Sequence, residues 1–150
     1  MAPFDWQSQL IEVGKLAIAY ALIFPVGWFR EKEAHTIGVR TFPLVAVASC
    51  GYVLLAGQGV DAQSRVIQGL VTGIGFLGGA AIFRSESGVV HGAATAASIW
   101  ATAAVGAAVA QEKWVLAAGL ALFDLFVLRV LKPLKDRLDN GSKPGENHPK

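Results

Sequence analysis

The stretch RVIQGLVTGIGFLGGAAIFR, residues 65–84, decides how the rest of the chain is understood. Between its terminal arginines lie 18 residues without a charge, and five of them, Gly69, Gly73, Gly75, Gly78 and Gly79, are glycine. Gly73-Ile74-Gly75-Phe76-Leu77-Gly78 formally matches the dinucleotide fingerprint G-x-G-x-x-G. That fingerprint requires a preceding strand, a helix opening at the glycines and an acidic residue about 20 positions on. Here the glycines sit inside the uncharged run, and the downstream residues are Ile99, Trp100, Ala101 and Thr102, so nucleotide binding is set aside. As a helix in lipid the same residues are useful. Gly69-x-x-x-Gly73 and Gly75-x-x-x-Gly79 are small-xxx-small pairs that let backbones approach closely.

Working outward, residues 41–60 carry no charge, and residues 87–111 carry His91 as their single ionisable side chain. Two further candidates are residues 10–29, with Glu12 and Lys15 near the start, and residues 114–131, with Asp124 inside and Arg129 near the end. A bilayer core of about 30 Å needs about 20 mostly apolar residues as helix. The expected fold is all-α, a polytopic transmembrane bundle of about five spans. Composition agrees, because 53% of residues are hydrophobic and 16% charged, against about 45–50% and about 25% in soluble domains. Mean hydropathy is +0.48, which excludes a disordered chain. A single Cys50 excludes a disulfide scaffold, and a net charge of +2 is too weak and dispersed for a nucleic-acid surface.

The expected organisation is a short external N-terminus over residues 1–9, a transmembrane domain over 10–132 and a disordered cytoplasmic tail over 133–150. No basic residue precedes Lys15, so the first span lacks the n-region of a signal peptide and is expected to stay in the protein. Ten Lys and Arg fall on one side of the spans (Arg30, Lys32, Arg40, Arg84, Arg129 and those of the tail), against Arg65, Lys113 and Lys15 on the other. The positive-inside rule then places the N-terminus outside and the C-terminus in the cytoplasm. Trp6, Trp28 and Trp114 flank spans as headgroup anchors, whereas Trp100 lies inside the fourth span and reads as buried packing.

The alanine-rich fourth span is the natural partner of the glycines of the third, which places the structural centre between those two helices. Glycine density there serves packing alone, or also a kink beside a substrate path. At 100° per residue His91, Thr95, Ser98 and Thr102 fall within an arc of about 60°. This stripe is a set of local hydroxyl bonds, or a hydrated path that Gln68 and Thr72 of the third span would meet if they faced it. Asp124 lies near mid-bilayer and needs a partner, a proton or water, with Arg84 and His91 as the candidate partners. Glu12 and Lys15 are spaced to pair at i,i+3. The charged connection that begins at Arg30, Glu31 and Lys32 reads as a solvated loop. No catalytic constellation and no cofactor motif occurs, and His35, His91 and His148 have no metal-ligand spacing, so the chain is not expected to be an enzyme.

The order Gly73-Ile74-Gly75-Phe76-Leu77-Gly78-Gly79-Ala80, Arg84, Gly92, Thr95-Ala96-Ala97-Ser98-Ile99-Trp100 and Ala103-Ala104-Val105-Gly106 resembles the signature of the MgtC/SapB family of bacterial inner-membrane proteins. Gly27, Arg30-Glu31, Gly38-Val39-Arg40-Thr41 and Arg65 fall where that family places its Gly, Arg-Glu, Gly-x-Arg-Thr and Arg. Departures are Phe29 for an acidic residue, Phe42 for His, His91 for Arg and Ala94 for Asn or Thr. Members with a soluble C-terminal domain are similar in their membrane part alone. The resemblance implies an inner-membrane location, growth in low magnesium, intracellular survival and virulence and, for one member, inhibition of the membrane ATP synthase. Two functions follow as expectations. One is a non-enzymatic protein that binds partners in the bilayer, copies of itself or another membrane protein such as ATP synthase. The other is a small cation- or proton-linked transporter using Asp124 with the stripe of His91, Ser98 and Thr102.

Overall fold

The structure, a computed structural model, describes residues 5–34, 37–86 and 90–131. The tail expected over 133–150 lies outside the described residues, as do His35, His148 and the first four residues. Five helices run in order: α1 (Trp6–Ala34), α2 (Thr41–Leu55), α3 (Val60–Ala80), α4 (Ala93–Ala110) and α5 (Trp114–Phe126). A π-helical turn, Val127–Leu131, continues α5. The all-α bundle is therefore as expected. Three helical stretches, Trp6–Lys32, Ala93–Ala110 and Trp114–Leu131, are long and apolar enough to cross a membrane. α2, with 15 residues, is shorter than a full span. α3 has the length, with 21 residues, but Asp61, Arg65 and Gln68 and its glycines dilute its hydropathy.

α1 starts where Asp5 caps it, its Oδ1 accepting from the Gln7 N–H at 3.0 Å and its carbonyl from the Ser8 hydroxyl at 2.9 Å. It continues through Pro25 to Ala34, five residues beyond the expected end of the first span. Arg30, Glu31 and Lys32 are thus helical. The solvated loop expected from Arg30 onward is corrected to a helix end that projects beyond the apolar segment.

α4 is the hub and packs against α1, α2, α3 and α5. Its alanines and glycine leave little side chain between backbones, so neighbours approach until atoms of the main chain meet. The closest approach is to α2. A Cβ on Gly106 would overlap the Ala46 carbonyl oxygen and stand 3.0 Å from both the Ala46 carbonyl carbon and Ser49 Cβ. The core around this crossing contains Ile23 and Val26 of α1, Phe42 and Cys50 of α2, Ile99, Val105 and Val109 of α4, and Ala117 and Ala121 of α5. The structural centre expected between α3 and α4 lies instead between α2 and α4. α3 leans on α4 from one side, and Gly78 is its one buried residue among those described.

A two-residue antiparallel hairpin, β1 (Phe83–Arg84) with β2 (Val90–His91), joins α3 to α4 with Phe83 opposite His91. Gly92 follows at φ +86°, where a Cβ would overlap the Ala81 carbonyl oxygen, so glycine is required to turn the chain into α4. At the other end of the bundle Lys15 Nζ meets Glu112 Oε1 at 2.7 Å, tying α1 to the α4–α5 turn. The pairing expected between Glu12 and Lys15 is replaced by this longer-range one. Large apolar side chains, among them Leu44, Leu55, Phe76, Val115 and Phe123, point outward from the bundle. Such a surface suits hydrocarbon rather than water as the surrounding medium.

Candidate functional site

A helix whose side chains are mostly methyl groups offers few ways to anchor its neighbours, so the hydroxyls of α4 carry the polar contacts. Thr95, Ser98 and Thr102 lie on one buried face of α4, spaced 3 and 4 residues apart. Thr95 Oγ1 accepts a hydrogen bond from the Arg30 guanidinium of α1. One turn further, the Ser98 hydroxyl donates to Asp124 Oδ1 of α5 at 2.6 Å. Three helices are thus joined by one polar string, Arg30–Thr95 and Ser98–Asp124, with Arg30 7% and Asp124 8% exposed.

Charged groups withdrawn from water cost desolvation, which the Arg30–Thr95 and Ser98–Asp124 hydrogen bonds offset. Their placement opposite α4 fixes how α1 and α5 can rotate against it. The wider π turn directly after Asp124 turns Leu128 into the core and sets the Arg129 guanidinium 5.6 Å from the Phe29 ring centre. Asp124 Oδ2, Thr102 Oγ1 and Ser49 Oγ are buried without a hydrogen-bond partner among the described residues. That spare polar capacity is unusual for buried groups. Among the described residues no group of three His, Cys, Asp or Glu side chains is placed to hold a metal ion.

His91, expected on the polar stripe, lies on β2 outside α4 and stacks on Phe83 with ring centres 5.4 Å apart. Arg84 is exposed on β1. Neither reaches Asp124, whose hydrogen-bond partner is Ser98 instead. Gln68 and Thr72 are exposed and do not meet the stripe; the Thr72 hydroxyl donates to the Gln68 carbonyl at 3.0 Å. Of the five glycines, Gly75 and Gly78 face α4, where a Cβ would stand 3.8 Å and 3.4 Å from the Trp100 ring. Gly69, Gly73 and Gly79 have nothing within 4 Å. Trp100 is 47% exposed, lying over the α3 glycines rather than sealed in the core.

The two short segments around Arg30-Glu31 and Gly38-Val39-Arg40-Thr41 come together in space. Glu31 Oε2 accepts from the Val39 N–H at 3.1 Å, while Arg40 is exposed and Thr41 opens α2. The burial of Arg30 was not legible in the sequence, although one signal pointed to it: an intramembrane Asp124 with no cation on its own helix before Arg129. Ser49 was missed because a lone serine in an apolar helix carries no pattern. Arg65, the remaining charged residue of interest, is exposed on α3.

Two open grooves flank α3. One, about 250 Å³, runs between α3, α4 and α5 past Ile67, Leu70, Trp100, Ala104 and Leu120. The other, about 520 Å³, runs between α2 and α3 past Val45, Tyr52, Gly69 and Gly73. Arg30, Thr95, Ser98 and Asp124 line neither.

Comparison with known proteins places these features in a lineage. Residues 16–137 match the profile of the MgtC family. The chain is 34% identical over 136 residues to protein SrpB of Synechococcus elongatus, covering 81% of this chain and 75% of that one. It is 34% identical over 136 residues to protein MgtC of Brucella abortus, covering 89% of this chain and 57% of the relative. It is 29% identical over 137 residues to the putative magnesium transporter YhiD of Escherichia coli, covering 84% and 63%. The chain therefore spans less than two thirds of the length of MgtC and YhiD. No solved structure matches it. With the Arg30-Glu31 and Gly38-Val39-Arg40-Thr41 segments in contact and the glycines and Trp100 facing one another, the chain belongs to the MgtC family, of which it represents the membrane domain.

Proposed function

We propose that the chain is a non-enzymatic protein of the bacterial inner membrane, N-terminus outside, that works by binding a helix of another integral membrane protein beside α3. The observation that carries this reading is the separation of the polar string from the grooves. Arg30, Thr95, Ser98 and Asp124 engage one another inside the bundle, while Gly69 and Gly73 stand open on an apolar groove. Open glycines admit a neighbouring backbone, and van der Waals packing of this kind is what joins helices in lipid. The family resemblance names the membrane ATP synthase as the first partner to test, and adaptation to low magnesium as the setting.

Affinity capture of the tagged chain from native membranes tests it. A membrane protein is expected in the eluate, and Gly73→Leu, which fills the groove from a position where a Cβ meets nothing within 4 Å, is expected to remove it. Recovery of no other membrane protein, or equal recovery with Gly73→Leu, overturns the reading.

A second reading is cation movement. It is favoured by the unpartnered Asp124 Oδ2 and Thr102 Oγ1 and by similarity to a protein named a putative magnesium transporter. Purified chain in liposomes would then pass magnesium or protons down a gradient, and Asp124→Asn would abolish the flux. Absence of flux from the native chain ends this alternative.

A further inference from the structure

α3 carries its polar side chains on the face turned away from the bundle. At 100° per residue Asp61, Arg65, Gln68, Thr72 and Gly79 fall within an arc of about 60°, while Ile67, Leu70 and Ile74 lie on the opposite side. Those three are the half-buried residues that close the grooves beside α4 or α2. All five residues of the polar arc are exposed. Among the described residues, the one side-chain bond made by this arc is that of Thr72 to the Gln68 carbonyl. Among the described residues neither Asp61 nor Arg65 enters an ion pair, although they sit one turn apart. Gln68 lies about 12 Å along the helix from Val60, so its amide would face hydrocarbon, where an unsatisfied polar group is costly.

The occupant of this face has to offer a carboxylate to Arg65, a cation to Asp61 and an amide or hydroxyl to Gln68 and Thr72. A second copy offers all of these at the correct heights. In a twofold contact with parallel helices each residue meets its own counterpart or a near neighbour. A glutamine amide both donates and accepts, so Gln68 pairs with the partner's Gln68. Side chains on a helix lean toward its N-terminus, which carries the Arg65 guanidinium toward the height of the partner's Asp61. The spacing agrees. Positions 61, 65, 68, 72, 75 and 79 alternate by four and three, the seam of a left-handed helix pair; Gly75 is turned toward Trp100, and the exposed seam ends in Gly79, where backbones can close together.

We propose that this seam of α3 is the contact between two copies of the chain in the membrane. The proposal rests on the reading that the chain works through helix contacts in the bilayer, and makes one of those contacts self-association.

The test uses the full chain in native membranes. In a Cys50→Ala background, Gln68→Cys is expected to give a disulfide-linked species of twice the chain mass on oxidation. Phe123→Cys, on the outward face of α5, is expected to give none. In the native chain, Asp61→Arg and Arg65→Asp are each expected to lower the dimer fraction by about threefold, the size of one interhelical polar contact in a bilayer. Co-expression of the two variants is expected to restore it, because each seam then faces its complement. Several outcomes overturn the proposal: no dimer through Gln68→Cys, equal dimer through Phe123→Cys, a product containing a different protein, or no rescue on co-expression. Affinity capture from the same membranes separates the two proposals. Loss of self-crosslinking with capture of another protein retained rejects the dimer alone, and dimer without captured partner rejects the heterologous reading alone.

Discussion

Gly106→Ala is expected to destabilise the bundle by about 3 kcal/mol, the upper part of the usual range for overpacking. The added methyl would overlap the Ala46 carbonyl oxygen and press on the Ala46 carbonyl carbon and Ser49 Cβ at 3.0 Å. Backbone cannot rotate aside as a side-chain terminus can. Relief requires α2 to move off α4, and α2 contributes Phe42, Ala46, Cys50 and Val53 to the core, so the shift would loosen every layer of the crossing. Ala at Gly69 or Gly73 is the contrasting case, because nothing lies within 4 Å of either position. There the stronger helix preference of alanine raises stability by as much as about 1 kcal/mol. Titration of the detergent-solubilised chain with a denaturing detergent, followed by circular dichroism, measures the three variants. Equal effects at positions 106 and 73 would remove the α2–α4 crossing from its central place in the fold.

The same contrast explains how far the sequence carries. Lengths of apolar runs locate helices well, because hydrocarbon thickness sets a length that charge-free segments either reach or miss. Residues 93–110 and 114–131 lie close to where the run lengths put them. The stripe of Thr95, Ser98 and Thr102 and the anomaly of Asp124 are equally legible, since periodicity and burial cost are properties of one helix at a time. Pairing is not. Gly106 is the sole glycine of α4, but nothing within its own helix tells which neighbour it meets. Its role comes from the Ala46 carbonyl, 60 residues earlier in the chain. Five conspicuous glycines of α3 drew the structural centre toward the wrong pair, because three of them face outward. Arg30 was misplaced for a related reason. A charge next to Glu31 and Lys32 looks solvated, and only the rotation of α1 against α4 reveals that Arg30 turns inward to Thr95 while Lys32 lies over the Trp28 ring at 5.1 Å.

Arg30→Met is expected to cost about 1–3 kcal/mol, the range for leaving a buried polar group without its hydrogen-bond partner, because Thr95 Oγ1 loses the guanidinium. Methionine replaces the volume of the stem and leaves the Ser98–Asp124 bond in place. Asp124→Asn in the native background keeps an acceptor for Ser98 and removes the buried charge. Adding Asp124→Asn to Arg30→Met tests whether the two halves of the string, one turn apart on α4, support one another, and a coupling of about 0.5–1 kcal/mol is expected. Four unfolding titrations close this cycle, and additive losses would show that the two charges do not support one another. The double variant also separates structure from transport. Where circular dichroism shows it folded, retention of partner capture is expected if the string serves to lock α1 and α5 onto α4. If the string were instead the path of a cation, the native chain would conduct and this folded variant would not.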